Sequence, residues 1–214
     1  LQGAVLENVD FTGCNLRDAQ VVRSLAEAGH DLAAVLALHA DWVNNGGRKG
    51  RRGELPALDF SRLDLAKAQL SAAVLHSSRF CDTRLSGAAL AVADLSLADF
   101  SRADLSFADL RGANLDRASL IEADLTGADV SPMPIKGAAG QMWPVSLIRG
   151  RLEGARACDL KFQKAKLREA SFVRADLRGT DFSGADLTGA DFSGADVTGA
   201  VFTDAILQDV KGLK

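Results

Sequence analysis

Between Thr180 and Ala200 the chain says one five-residue phrase over and over. Let i denote its large apolar residue. Then i is Phe182, Leu187, Phe192, Val197 and Phe202, and i−2 is Thr180, Ala185, Ala190, Ala195 and Ala200. Position i−1 is mostly Asp, and i+2 is Gly184, Gly189, Gly194 and Gly199. A period of five matches neither the 3.6 of an α-helix nor the 2.0 of a β-strand. The unit must therefore be a short turn used repeatedly. Such a unit hides its apolar side only by stacking on copies of itself.

The same phrase runs through most of the chain. A weaker version occupies residues 1–21, with Leu6, Phe11, Leu16 and Val21 at i and Ala4, Val9, Cys14 and Ala19 at i−2. A long array then runs from Phe60 to Val130 without a slip, and its i−2 position is Ala at every repeat from Ala88 to Ala128. It resumes at Leu147 and Leu152, passes an irregular Ala157, and continues through Phe162 to Leu207. The stretch resembles the pentapeptide-repeat family, whose consensus is Ala-(Asp/Asn)-Leu-X-X. That resemblance implies an all-β solenoid, a right-handed quadrilateral β-helix, with i and i−2 inward and i−1, i+1 and i+2 toward solvent.

The phenylalanines agree with four sides. Phe60, Phe80 and Phe100 are spaced by twenty, as are Phe162, Phe182 and Phe202, and also Phe172 and Phe192. Twenty residues are four repeats, one circuit, so each set is expected to stack ring above ring. Phe107 alone among the ten Phe residues falls off position i. About eight coils at the ~4.8 Å inter-strand spacing give a rod of roughly 40 Å.

Two segments break the period. From Ser24 to Asn45 the spacings of Leu25, Leu32, Val35, Leu36, Trp42 and Val43 predict amphipathic helix. Ser24-Leu-Ala-Glu27 reads as a capping box, and Gly29-His30-Asp31 can divide the segment into two helices. Asn44-Asn45-Gly46-Gly47 is a stop, followed by the basic, glycine-rich stretch Arg48 to Gly53. Residues 131–146 carry Pro132, Pro134 and Pro144, which withhold ladder donors, so a loop leaving one corner is expected. The divisions are thus 1–21 first coil, 22–56 insertion, 57–130 array, 131–146 loop, 147–210 array and 211–214 tail.

Charge enters as pattern rather than as sum. The net formal charge is −3, with no overall pull toward nucleic acid or anionic membrane. Yet from Leu85 to Val130 eight acids face three arginines, and from Arg149 to Arg178 nine bases face four acids. From Gly179 to Asp209 there are six aspartates and no base. Such bands orient and steer a partner.

Signs of chemistry are sparse. His30, His39 and His76 lack metal-ligand spacing, and no phosphate loop, nucleophile elbow or dinucleotide fingerprint occurs. No catalytic residue, metal or cofactor is expected. The recurrent aspartates are read as solvated or ladder-bonding carboxylates rather than acid/base groups, since perturbed groups gather in clefts. Cys14, Cys81 and Cys158 form no motif and fit a reducing cytoplasm, with Cys81 and Cys158 partly exposed. No run approaches the ~20 apolar residues of a membrane span, and no signal-peptide pattern opens the sequence. The start at Leu1 rather than Met fits a piece of a longer protein.

Binding is therefore the expected role, on a rigid scaffold. Candidate partner-binding residues are His39 and Trp42 on the helix, with packing of Trp42 onto the rod as the plainer reading. The others are Arg48, Lys49, Arg51 and Arg52 after the helix, Trp143 in the loop, and the basic band Arg149, Arg151, Arg156, Lys161, Lys164, Lys166 and Arg168. The family resemblance implies two kinds of partner. One is a protein bound by a bacterial scaffold module, as in adaptor-like proteins that carry such arrays. The other is DNA gyrase or topoisomerase, met by a DNA mimic of the fluoroquinolone-resistance type. Mimicry asks for continuous acidic faces, and here the Asp64, Asp104, Asp124 face carries Arg84 while the Asp186 face carries Lys166 and Ile206. Direct nucleic-acid binding ranks lower, because no stacking aromatics accompany the basic stretch. Ile206, Leu207, Val210 and Leu213 make a small apolar tip, consistent with a monomer or an end-to-end dimer.

Overall fold

The computed structural model describes residues 22–29, 31–135, 137 and 140–213. The weak first array, residues 1–21, lies outside the described residues, as does His30.

The repeat is explained by where its five backbone donors go, since a buried N–H without a partner is costly. Consider Asp181 to Ala185. Asp181 N–H reaches the carbonyl of Leu160 on the preceding coil at 2.9 Å. Phe182 and Gly184 N–H reach Val201 and Thr203 on the following coil at 2.7 and 2.8 Å. Ala185 N–H closes the turn onto Phe182 carbonyl at 2.9 Å. The remaining donor, Ser183 N–H, is satisfied by Asp181 Oδ1 at 2.8 Å. The aspartate at i−1 thus completes the set with an Asx turn. The same bond recurs from Ser61 to Asp59, Ser101 to Asp99, Ser106 to Asp104 and Thr198 to Asp196.

The turn also explains i+2. Its φ is positive at each repeat from Arg62 to Gly127 and from Arg149 to Asp209, at Gly184 (67°) and Gly189 (71°) but also at Arg117 (60°) and Phe107 (58°). Glycine meets this requirement freely, whereas other residues do so at a cost of about 1–2 kcal/mol.

Parallel pairing links residues twenty apart: Asp59 with Arg79, Asp64 with Arg84, Gln69 with Ala89, Val74 with Asp94. Four pairing positions thus occur per circuit, each carried by a single i−1 residue. Inside, i and i−2 form one continuous core, with Leu75, Leu90, Phe100, Ala108, Phe162 and Ala190 all fully buried. Phe60, Phe80 and Phe100 stack with centroids 4.8 and 4.7 Å apart, and Phe172 and Phe192 at 4.9 Å. Between neighbouring sides the rings meet edge-on, as Phe172 and Phe182 do at 77°. Ala157, small at i, is followed by a large i−2 residue, Leu160, and both are buried. Volume is exchanged between adjacent positions.

Pairing begins earlier than Phe60, because Glu54 bridges Val74 and Leu55 enters the core. Before it, β1 (Arg23–Ser24) pairs in parallel with β2 (Leu58–Asp59), Arg23 opposite Leu58. That separation of 35 residues exceeds one circuit by fifteen, so the inserted segment replaces part of a circuit as well as adding to it. The insertion holds one helix, α1 (Leu32–Asn44), rather than helix from Ser24 onward. The Ser24–Glu27 box does form, at 2.8 and 3.2 Å, but it closes an isolated turn, because Ala28 and Gly29 bond back to Ser24 and Ala26. Asp31 is the N-cap, accepting from Ala34 N–H at 3.2 Å. Leu32, Val35 and Leu36 pack against the core.

The second interruption is a β-hairpin. β3 (Met133–Pro134) pairs antiparallel with β4 (Met142–Trp143). Asn114 bridges Ser146, 32 residues on, so the hairpin adds twelve residues to one circuit. Among the described residues no helix is long and apolar enough to cross a membrane.

Candidate interaction surface

The aspartates that dominate the surface are occupied in holding the backbone. Hydrogen bonds from Ser183 hold Asp181 below the usual carboxylate range, and those from Thr198 do the same for Asp196. Groups tied into identical turns lack the contrast between neighbours that acid/base pairs require. Among the described residues no group of three or more His, Cys, Asp or Glu is placed to hold a metal ion. Burial, with Asp99 nearby, pushes the Cys81 thiol up to about 12, and burial also raises Cys158. Neither thiol has the lowered pKa that marks a reactive cysteine.

Closure into coils rearranges the charge bands. Arg149 forms a two-pronged pair with Glu169 on the next coil at 2.8 and 3.1 Å. Arg168 meets Asp186 at 2.6 Å, Arg156 meets Asp124 at 3.4 Å, and Arg151 meets Glu153 at 3.3 Å. Four of the seven basic-band candidates are thus in ion pairs, largely between coils, which leaves their surface mixed in sign. Lys166 lies in the ladder between Ser146 and Asp186, Lys161 lies beside Asp181, and Lys164 holds the left-handed corner below Gly184.

The insertion separates its candidates further. His39 is fully buried, and its Nδ1 accepts the N–H of Gly53 at 2.9 Å. Burial lowers its pKa. Trp42 stacks on His39 at 5.8 Å and is half-buried beside Gly47. This pair anchors the helix. Arg51 is tied through its backbone, N–H to Leu38 carbonyl at 2.9 Å, and Arg52 through Nε to Ala72 carbonyl at 2.7 Å, while both residues remain exposed. Arg48 and Lys49 stay exposed in the turn after α1.

Trp143 stands apart from these. Its ring folds back over Gly112, where an added Cβ would lie 3.2 Å from Cδ1 and 3.1 Å from Val92. Half of it remains exposed (52%), with Met142 beside it in β4. Phe107, absent from the sequence-derived candidates, is 70% exposed in the left-handed corner, its ring lying across Gly127. Its signal in the sequence was its place off position i. Leu38 is likewise exposed, over a cavity of about 190 Å³ bordered by Val35, Arg51, Arg52 and Glu54.

The profile described as "Pentapeptide repeats" matches residues 1–24, 98–131 and 170–209, in 8 copies. Among solved structures, the chain is similar to full-length QnrB1, a plasmid-mediated fluoroquinolone resistance protein. The two are 24% identical over 75% of this chain and 83% of that one, with a TM-score of 0.62. A trypsin-treated variant of QnrB1 gives the same identity and coverage with a TM-score of 0.63. HetL of the cyanobacterium Nostoc sp. strain PCC 7120, involved in heterocyst differentiation regulation, is 31% identical over 75% of this chain and 77% of its own, with a TM-score of 0.28. No curated protein sequence matches the chain. Repeat, donor pattern and profile agree: the chain belongs to the pentapeptide-repeat family.

Proposed function

We propose that the chain is a non-catalytic, rigid scaffold for protein–protein interaction, wound as a right-handed quadrilateral β-helix and acting in the cytoplasm. The right hand follows the strong preference of parallel crossovers. The observation that carries the functional reading is the pair of exposed aromatics, Phe107 and Trp143, on a surface whose aspartates are already committed to backbone turns. Phe107 keeps a bulky ring in a left-handed corner where glycine would be free of strain. Trp is among the residues that dominate binding energy when a partner covers them. The test is photo-crosslinking in bacterial cells, with a benzophenone side chain placed in turn at 107, 143 and 198. A shared protein adduct at 107 and 143, absent at 198, supports the reading. Adducts no stronger at 107 and 143 than at 198 refute it.

A second reading keeps gyrase or topoisomerase as the partner, with the chain acting as a DNA mimic. The likeness to QnrB1 favours it as analogy of fold, a weak warrant for function. The mixed faces oppose it: Arg84 pairs with Asp64 at 3.2 Å within the face that mimicry needs acidic. A supercoiling titration with and without a fluoroquinolone decides. Inhibition or drug rescue at micromolar protein establishes the mimic, and no effect at tens of micromolar removes it.

A further inference from the structure

A groove runs along the side that carries Asp59, Arg79, Asp99, Ser119 and Arg151 in its ladder. It encloses about 210 Å³, with Val22 at the end where the described chain begins. Its floor holds an unusual group. The Arg79 side chain is 9% exposed, and among the described residues its ion-pair partner is Asp59, at 3.6 Å. Its Nη2 is buried with no hydrogen-bond partner among the described residues. A guanidinium nitrogen in that state is costly, because desolvation is not offset by a bond. Nothing in the repeat requires Arg there, since the same position is Asp or Ser on the next two coils.

We propose that this groove is an oxyanion seat, in which Arg79 receives the carboxylate of an acidic side chain or peptide terminus presented by a partner. A planar guanidinium edge matches a carboxylate in two parallel bonds. Leu97 and Ile121 in the walls offer apolar surface to the methylene stem of a glutamate. Arg117 at the rim adds a second positive charge, while Arg151 is engaged by Glu153. Asp99 also lines the groove, its Oδ1 already accepting from Ser101 N–H and O–H at 3.0 and 2.5 Å. Its charge favours a monoanion over a phosphate dianion. The volume suits one side chain and falls below the ~300–1,000 Å³ of drug-sized ligand sites. The biological source of the carboxylate rests on the protein-binding reading, but the seat itself is testable without any partner.

The experiment titrates the full chain with N-acetyl-glutamate methylamide, and separately with inorganic phosphate, at constant ionic strength. Side-chain guanidinium resonances are followed by NMR. A saturable shift of Arg79 with the glutamate derivative is expected in the parent, and binding read at the backbone amides of Ser101 and Ser119, which also line the groove, should weaken at least tenfold in Arg79→Gln and in part in Arg117→Gln. Arg84→Gln, a surface control on the next side, should leave it unchanged. The backbone amide spectrum of each variant reports whether the fold is kept. If Arg79→Gln does not fold, Arg117→Gln alone decides. Saturation by phosphate but not by the carboxylate overturns the ligand assignment. No saturable shift, or one equal in Arg117→Gln and parent, overturns the seat. Failure here leaves the scaffold reading intact, and failure to find a partner leaves the seat intact.

Discussion

Ala113→Leu tests the packing logic most directly. Ala113 is 1% exposed, and the pairing of Asn114 with Asp94 and Ser146 places it between Ala93 and Val145 in the stack. Its carbonyl accepts from Ser146 N–H at 3.0 Å, so the backbone cannot retreat without breaking the ladder. Leucine adds three carbons where no void receives them, and overpacking at the upper end of its usual range costs ~3 kcal/mol. For a protein of this size that lowers the melting midpoint by about 6–12 °C. The protein itself suggests a rescue, because Ala157 and Leu160 show small-then-large at the same offset as Leu110 and Ala113. Leu110→Ala alone should cost about 2–5 kcal/mol as a buried cavity. The double variant Leu110→Ala/Ala113→Leu conserves volume and should lose less than either single change. Urea unfolding followed by circular dichroism measures all three. Additive losses in the double variant, or an Ala113→Leu midpoint equal to that of the parent, would refute the reasoning.

Three further outcomes are expected. Phe107→Gly should hold or raise stability, by about 1 kcal/mol, because it removes left-handed strain; Gly127→Ala should cost more with Phe107 present, since the new Cβ would lie 2.7 Å from its ring. The two changes should therefore couple in a double-mutant cycle. Acid should loosen the coils: hydrogen bonds in the fold lower the pKa of Asp181 and Asp191, so their contribution is full above the unfolded value of about 3.9 and is lost as pH falls below it. Thermal scans from pH 6 to pH 2 should show the decline starting near pH 4, and Asp181→Asn should flatten it. Burial lowers the His39 pKa, so the insertion is most stable above the ordinary histidine value near 6.5 and loosens as pH falls below it. The protection factor of Gly53 N–H, with the intrinsic pH dependence of exchange divided out, should fall below pH 6 in the parent, and unchanged protection down to pH 5 would refute this.

The sequence by itself determined the inward positions and the twenty-residue circuit, and it showed that the array is interrupted twice, though not that pairing resumes as early as Glu54. These are legible because a repeat imposes the same backbone bonds on each copy: Asp181 and Ser183 declare an Asx turn wherever their like recurs. Ser24 and Glu27 show the limit of local reading. Their box formed as written, but Gly29 and the Asp31 cap moved the helix to Leu32–Asn44. Only the tertiary structure decided which charges meet and which side chains are covered. Arg156 finds Asp124, 32 residues away, because a twelve-residue hairpin lengthens that one circuit. His39 is buried because the chain returns past it at Gly53. Arg79 and Asp99 occupy equivalent places in the repeat, yet one is enclosed with a nitrogen that finds no partner among the described residues and the other is satisfied by Ser101. Periodicity is a property of the local backbone, whereas partnership and burial are set by register between coils, and register exists only once the chain has closed on itself.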